Sequence, residues 1–346
     1  MRGFNTVASV RVGVIGIGNM GLPMALRLQA RGYAVTVCDT NPMRAALATR
    51  HRLRLAPSAA EAARFSRCTV IAVSTQAQVQ DVLLGEHGVL HVMTAGDCVM
   101  LCTTLPGAVV ERYARALSDR GIQCIDAPLS GGPDRASFGT LSMIVACDNA
   151  TFERHRPMID ALSSRVMRVG TRVGMASRAK LVNNVAAAIN LAGMAEAMAL
   201  AKRFGIDAKQ MLEIMESSSG QNWIGSDRLV RSMRGDTEVH AHVSLMATEA
   251  AIALDAAQRE GLRTPVMAAT AQQYERACDD GHARADDSVM FQYASEVAAR
   301  ANHAGRNPAV PANKPVDARD DHDHDHDHID TVVDVDLSHN QDLKAS

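Results

Sequence analysis

The chain lacks a CxxC pair or any zinc-like spacing among its seven cysteines, which are scattered and odd in number. That argues against a disulfide framework and against a local metal knuckle. The thiols read as small apolar residues of a reduced, cytoplasmic protein, and no metal ligand set is expected. The chain also lacks an excess of either charge: 36 Lys and Arg face 38 Asp and Glu, with no concentrated basic patch. Nucleic acid and anionic membrane are therefore poor partners. No apolar stretch follows Arg2, so the first ten residues do not read as a secretory signal. The most apolar run, Val185 to Ala201, is interrupted by Asn190 and Glu196. It is expected to be a buried core helix and not a membrane span.

What is present suffices for two domains, since 346 residues can enclose two substantial cores. Arg11 to Gly21 reads RVGVIGIGNMG. Val12, Val14 and Ile15 form a short strand, Gly16, Gly18 and Gly21 follow as GxGxxG, and Leu22 to Ala30 has helical spacing. Strand, glycines and helix in that order give the motif its meaning, which is dinucleotide binding. Gly16 permits the tight turn, Gly18 lets a pyrophosphate approach, and Gly21 lets helix pack on strand. The free N–H groups of the helix then face the phosphates. The next strand, YAVTVCD, ends in Asp39, where a carboxylate meets the adenosine ribose and repels a 2′-phosphate. NAD is thus expected over NADP, with Arg44 the only nearby partner for a phosphate.

Further strands are expected at Cys68 to Val73, Cys98 to Thr104, Gln123 to Pro128 and Leu141 to Ala146, with a helix opening at Pro106. The alternation predicts a doubly wound, mostly parallel sheet to about residue 168, with ligands beyond the carboxyl ends of its strands. Asp126 to Gly132 reads DAPLSGG. Its hydroxyl and two unhindered N–H groups suit a small carboxylate, although Gly131, Gly132 and Pro133 also suit a plain turn.

Gly170 to Leu200 begins with two glycines and then runs without proline, which predicts one long, largely buried helix. Lys180 and Asn184 share a face of it. A lysine entering so apolar a helix is costly unless it is paired or used; the plain alternative is that it snorkels to water.

Four ordered motifs resemble the β-hydroxyacid dehydrogenases, which include 3-hydroxyisobutyrate dehydrogenase and tartronate semialdehyde reductase. They are GxGxMGxxMAxxL from Gly16 to Leu28, DxNP from Asp39 to Pro42, DAPxSGG from Asp126 to Gly132, and GxxGxxxxxKxxNN from Gly170 to Asn184. The resemblance covers about residues 11 to 298. It implies a Rossmann domain at 11–170 after a short extension (1–10), then an all-α domain at 171–301 joined by a long interdomain helix. Lys180 would be the general acid and base of hydride transfer. Ser130, Gly131 and Gly132 would hold the substrate carboxylate, and Asn184 would lie near the reacting hydroxyl. Gly16, Gly18, Met20, Gly21, Asp39 and Thr104 would contact NAD. The GQNW loop with Trp223 resembles the family's substrate-closing loop, although a lone tryptophan is more often core. Imine reductases of the same fold are disfavoured, because they usually lack the lysine.

The helical half is expected to hold helices at Phe204 to Met215, Asp227 to Met233, Leu245 to Gln258 and Pro265 to Cys278. Asp286, Asp287 and Ser288 read as an N-cap before an apolar helix, and also resemble the branch acting on L-threonate and related four-carbon sugar acids. One departure stands out: the family's lysine and aspartate in LMLKDL are Thr248 and Glu249 here. Thr248 can offer a hydrogen bond toward cofactor but no charge. That motivates an alternative function, a catalytically weakened dinucleotide-binding homologue with a sensing or scaffolding role. The apolar surface after Lys180 predicts a homodimer or homotetramer through the helical domain. Residues 302–346, proline-rich and then DDHDHDHDH, read as a disordered tail that could hold zinc or nickel only loosely.

Overall fold

A computed structural model describes residues 10–303. The readings made for residues 1–9 and 304–346 lie outside the described residues. The first half is one nine-stranded sheet: β1 (Arg11–Ile15), β2 (Ala34–Cys38), β3 (Arg54–Leu55), β4 (Cys68–Ile71), β5 (Cys98–Leu101), β6 (Gln123–Asp126), β7 (Leu129–Ser130), β8 (Leu141–Ala146) and β9 (Ser163–Gly170). Interleaved are α1 (Gly21–Ala30), α2 (Pro42–Arg50), α3 (Ala59–Arg64), α4 (Gln76–Leu84), α5 (Gly107–Ser118), α6 (Gly132–Phe138) and α7 (Asn149–Leu162). Six strands run parallel in the order β3-β2-β1-β4-β5-β6, the Rossmann order, with its topological switch between β1 and β4. Beyond β6 lies β8, antiparallel to β6 and β7 and parallel to β9.

The central strands are apolar on both faces because helices cover both. One face packs Met24, Leu28 and Met158, the other Leu83, Val110 and Leu117. β4 and β5 end at Ile71 and Leu101, short of the expected Val73 and Thr104. There the chain leaves the sheet, and the Thr103 hydroxyl donates to the Val73 carbonyl at 2.7 Å. β9 escaped the sequence reading because its residues are mostly exposed and include Arg165 and Arg168.

The second half is helical: α8 (Met175–Arg203), α9 (Ala208–Glu216), α10 (Trp223–Met233), α11 (Val243–Arg259), α12 (Pro265–Ala277) and α13 (Met290–His303). α8 is opened by Gly174 at φ 98°, a conformation that favours glycine, and it continues through Gly193. It is the only described helix long and apolar enough to cross a membrane, but it lies among the helical half and the sheet and supplies much of the core. The helix expected from Phe204 starts only at Ala208. Phe204 caps α8, Gly205 turns at φ 74°, and the Asp207 carboxylate accepts the first N–H groups of α9.

Candidate active site

The three glycines of the first turn differ in what surrounds them. Gly16 has φ 84°, and a Cβ there would lie 2.9 Å from the Ala72 carbonyl. A Cβ on Gly21 would lie 1.8 Å from the Gly16 oxygen, so only glycine lets α1 start this close to β1. Gly18 faces open space. α1 has no acidic residue in its first turn and no side-chain cap at Met20, so its N-terminal dipole stays available to an anion. Asp39, at the end of β2, accepts from Ile17 N–H and Asn41 N–H, each at 2.8 Å. These bonds fix the carboxylate beside the glycine turn. Arg44 donates to Asn19 at 2.8 Å, so the one nearby cation is already engaged. An open Gly18, a free helix end and a fixed carboxylate fit a dinucleotide. Thr104 stands half-buried just past the end of β5.

Across from this cradle, Lys180 Nζ donates to Ser130 Oγ at 2.5 Å. Lys180 is only 9% exposed, so it does not snorkel to water. Burial pushes its amine below the ordinary lysine value, and Glu249 opposes that shift. Glu249, on α11, is itself buried; burial raises its carboxyl, while Lys180 and a hydrogen bond from Asn184 pull it down. Ser130, Lys180, Asn184 and Glu249 thus converge from β7, α8 and α11. Gly131 and Gly132 follow Ser130 at φ 132° and 72° and form the start of α6, with open space beside Gly132. The turn is real, and it leaves backbone unhindered beside the lysine.

Asp126 holds this geometry together, and the sequence reading gave it no role. Its carboxylate accepts from Gly174 N–H at 2.9 Å, Ser177 N–H at 3.0 Å and Ser177 Oγ at 2.7 Å. α8 begins with glycine and carries no cap of its own, so the end of β6 supplies one. Burial raises the Asp126 carboxyl against these bonds. On the opposite side of the helix start, Arg178 pairs with Glu111 of α5 at 2.7 Å.

Other expected residues stand apart. Trp223 is 73% exposed at the first position of α10, behind an Asn222 cap, so the core reading of this tryptophan does not hold. Thr248 is exposed, and its hydroxyl is spent on Ser244 O of its own helix at 2.8 Å. Asp286 is a cap, as expected, accepting from Ser288 N–H. It and Asp287 are also buried against arginines: Arg231 lies 3.1 Å from Asp286 and Arg228 2.5 Å from Asp287. These acids tie α10 to the turn before α13.

The chain matches two family profiles. One, described as the NAD binding domain of 6-phosphogluconate dehydrogenase, covers residues 11–170. The other, described as NAD-binding of NADP-dependent 3-hydroxyisobutyrate dehydrogenase, covers residues 174–294. The chain is 30% identical to the L-threonate dehydrogenase of Cupriavidus necator over 286 residues, 82% of this chain and 96% of that one. It is also 30% identical to the NAD-dependent L-serine dehydrogenase of Pseudomonas aeruginosa, over 81% of this chain and 96% of that protein. Its fold superposes on the crystal structure of 3-hydroxyisobutyrate dehydrogenase from Salmonella typhimurium with a TM-score of 0.75 at 29% identity, over 82% of this chain and 100% of that one. The chain belongs to the β-hydroxyacid dehydrogenase family, on its threonate-like branch, and transfers hydride between a hydroxy acid and NAD(P).

Proposed function

We propose that this dehydrogenase oxidises a small hydroxy acid of the threonate type with NAD, and that Lys180 moves the proton. The observation that carries the reading is the 2.5 Å contact of Lys180 Nζ with Ser130 Oγ inside a desolvated pocket. Ser130 and the backbone of Gly131 and Gly132 hold the substrate carboxylate. Asn184 holds the oxygen of the reacting hydroxyl while the neutral amine of Lys180 takes its proton. NAD, when bound, accepts the hydride at the nicotinamide ring. The reverse reaction uses the same groups, with the ammonium returning the proton. Met20, Gly16, Gly18, Gly21 and Thr104 line the dinucleotide, and residues 11–170 and 171–301 supply its two walls. Asp39 supports NAD over NADP, since a carboxylate beside the ribose repels a 2′-phosphate.

Two further parts of the reading concern setting. Seven free cysteines support a reducing, cytoplasmic setting. A groove of about 1070 Å³ between α8, α12 and α13, with exposed Leu200, Val266 and Val297 at its surface, is the face through which two chains pair. Light scattering at micromolar concentration should give a dimer or tetramer, and Leu200→Asp a smaller species.

Thr248 favours a second reading, a homologue that binds dinucleotide but turns over weakly, because its hydroxyl is bound to its own helix and it carries no charge. One panel separates the two. L-threonate, L-serine, 3-hydroxyisobutyrate and tartronate are offered with NAD and with NADP, and reduced cofactor is followed by absorbance. Turnover of a four-carbon acid with NAD supports the first reading. Dinucleotide binding without turnover of any acid, restored by Thr248→Lys, supports the second.

A further inference from the structure

At the other end of the parallel strands from the glycine turn lies a cluster that the dehydrogenase chemistry does not use. Cys68 opens β4 and Cys98 opens β5, and the two are register partners in neighbouring strands. Both point to the face that α7 covers, where His155 packs. One ligand atom from each of the three residues lies within 4.8 Å of the others. All three are buried, at 1%, 0% and 8% exposure. The Nε2 of His155 is sealed from solvent and has no hydrogen-bond partner among the described residues. A buried, unsatisfied ring nitrogen is costly, so its presence beside two thiols asks for a ligand.

We infer that Cys68, Cys98 and His155 form a binding site for a thiophilic d¹⁰ cation, with Zn²⁺ the member that fits best. Two sulfurs and an imidazole are the donors such an ion prefers over the oxygen ligands of Mg²⁺ or Ca²⁺. Bond lengths of roughly 2.3 Å to sulfur and 2.0 Å to nitrogen place donor atoms of one tetrahedral ion about 3.5–4 Å apart. The cluster reaches that spacing through small side-chain rotations. Charge supports the choice: two thiolates cancel Zn²⁺, and the imidazole stays neutral, so the loaded site carries no net charge into the core. Loading releases two protons, one from each thiol. The fourth position is left to a small ligand such as water. The ion would pin α7 to the start of the two central strands, far from the substrate, and act on stability. Sequence spacing hides the site, because thirty residues separate the cysteines and only the parallel pairing of β4 with β5 brings them together.

The test uses the full chain, reduced, stripped with a chelator and titrated with Co²⁺ as a coloured stand-in for Zn²⁺. One equivalent should produce a near-ultraviolet sulfur-to-cobalt band, release two protons and raise the melting temperature, and Zn²⁺ should displace it. Cys98→Ser and His155→Gln should each weaken Co²⁺ binding at least tenfold while still binding NAD, which reports an intact fold. Cobalt held by the Asp/His-rich stretch with His322, His324, His326 and His328 gives no thiolate band. Absence of the band from the wild-type chain overturns the proposal whether or not the variants fold. So does a band that both variants retain. A Cys68–Cys98 disulfide found by mass spectrometry in the unreduced chain, with no bound metal, also overturns it, in favour of a redox pair.

Discussion

Lys180 and Ser130 meet at 2.5 Å across the boundary between the long helix and the edge of the sheet. The serine belongs to a turn with open space beside Gly132, and the lysine to a helix whose start is fixed by Asp126. Behind the amine stands Glu249, buried on α11 and bonded to Asn184. From this one relationship the pH behaviour, the stability of the site and the effect of its neighbours follow.

With Lys180 as the proposed proton acceptor, oxidation needs the amine in its neutral form, and burial lowers the Lys180 value while Glu249 raises it. A lowered amine is neutral above its own, reduced pKa. The oxidation rate should therefore rise with pH through a midpoint below the ordinary lysine range, and the reduction rate should fall through the same midpoint. Glu249→Gln removes the charge that favours the ammonium, so its midpoint should lie lower still. A pH profile of kcat for both proteins checks the direction, and an unchanged or raised midpoint in the variant contradicts the pairing.

Asp126 caps α8 through two N–H groups and one hydroxyl. Asp126→Ala leaves these donors buried and unmet, which should cost roughly 2–3 kcal/mol of stability. It should also lower kcat more than it raises KM, because Lys180 sits on the second turn of that helix. Asp126→Asn keeps one oxygen acceptor and should lose less of both. Denaturant melts together with steady-state kinetics read the two effects.

Asp39 is held beside the glycine turn by Ile17 and Asn41. Asp39→Ala removes the repulsion of a 2′-phosphate and the bond to a ribose hydroxyl. The ratio of kcat/KM with NAD to that with NADP should fall at least tenfold, or about 1.4 kcal/mol. An unchanged ratio would mean that Asp39 does not read the ribose.

The pair Arg228–Asp287 is nearly inaccessible, with side-chain exposures of 13% and 1%. Asp287→Ala leaves the arginine buried with only Asp227 to meet it, and should destabilise the chain by roughly 3 kcal/mol. Arg228→Met combined with Asp287→Leu should recover most of that loss, since it removes both charges together. Asp286, beside it, is raised by burial but held down more strongly by Ser288 and by the N–H groups of His240 and Ala241, to about 2. A depressed carboxyl stabilises the fold above its unfolded value near 3.9. That contribution should be lost as pH falls from about 4 toward 2, and thermal melts across this range check it.

The parts of the site that were legible in the sequence are those written locally. Gly16, Gly18 and Gly21 sit within six residues, and Gly16 and Gly21 each have a steric reason, while Gly18 faces open space. Lys180 was visible through its misfit with an apolar helix. The fold class followed from the alternation of apolar strands with helices. What escaped depends on chain segments that meet only in three dimensions. Asp126 and Ser177 are fifty-one residues apart, and Glu249 reaches Lys180 only because α11 lies along α8. Thr248 stands out as a missing lysine, yet Glu249 beside it is the residue whose buried carboxylate faces Lys180 and Asn184. Trp223 was ambiguous because tryptophan is usually core, and its exposure reflects its place at the first position of a capped helix.

The most direct test of the account is turnover by Lys180→Ala with the preferred acid and NAD, set beside NAD binding measured by fluorescence or calorimetry. Loss of a general acid and base should lower kcat by roughly 10²–10⁴-fold, with NAD affinity within a few-fold of wild type. Turnover near the wild-type rate in that variant would contradict the role assigned to Lys180.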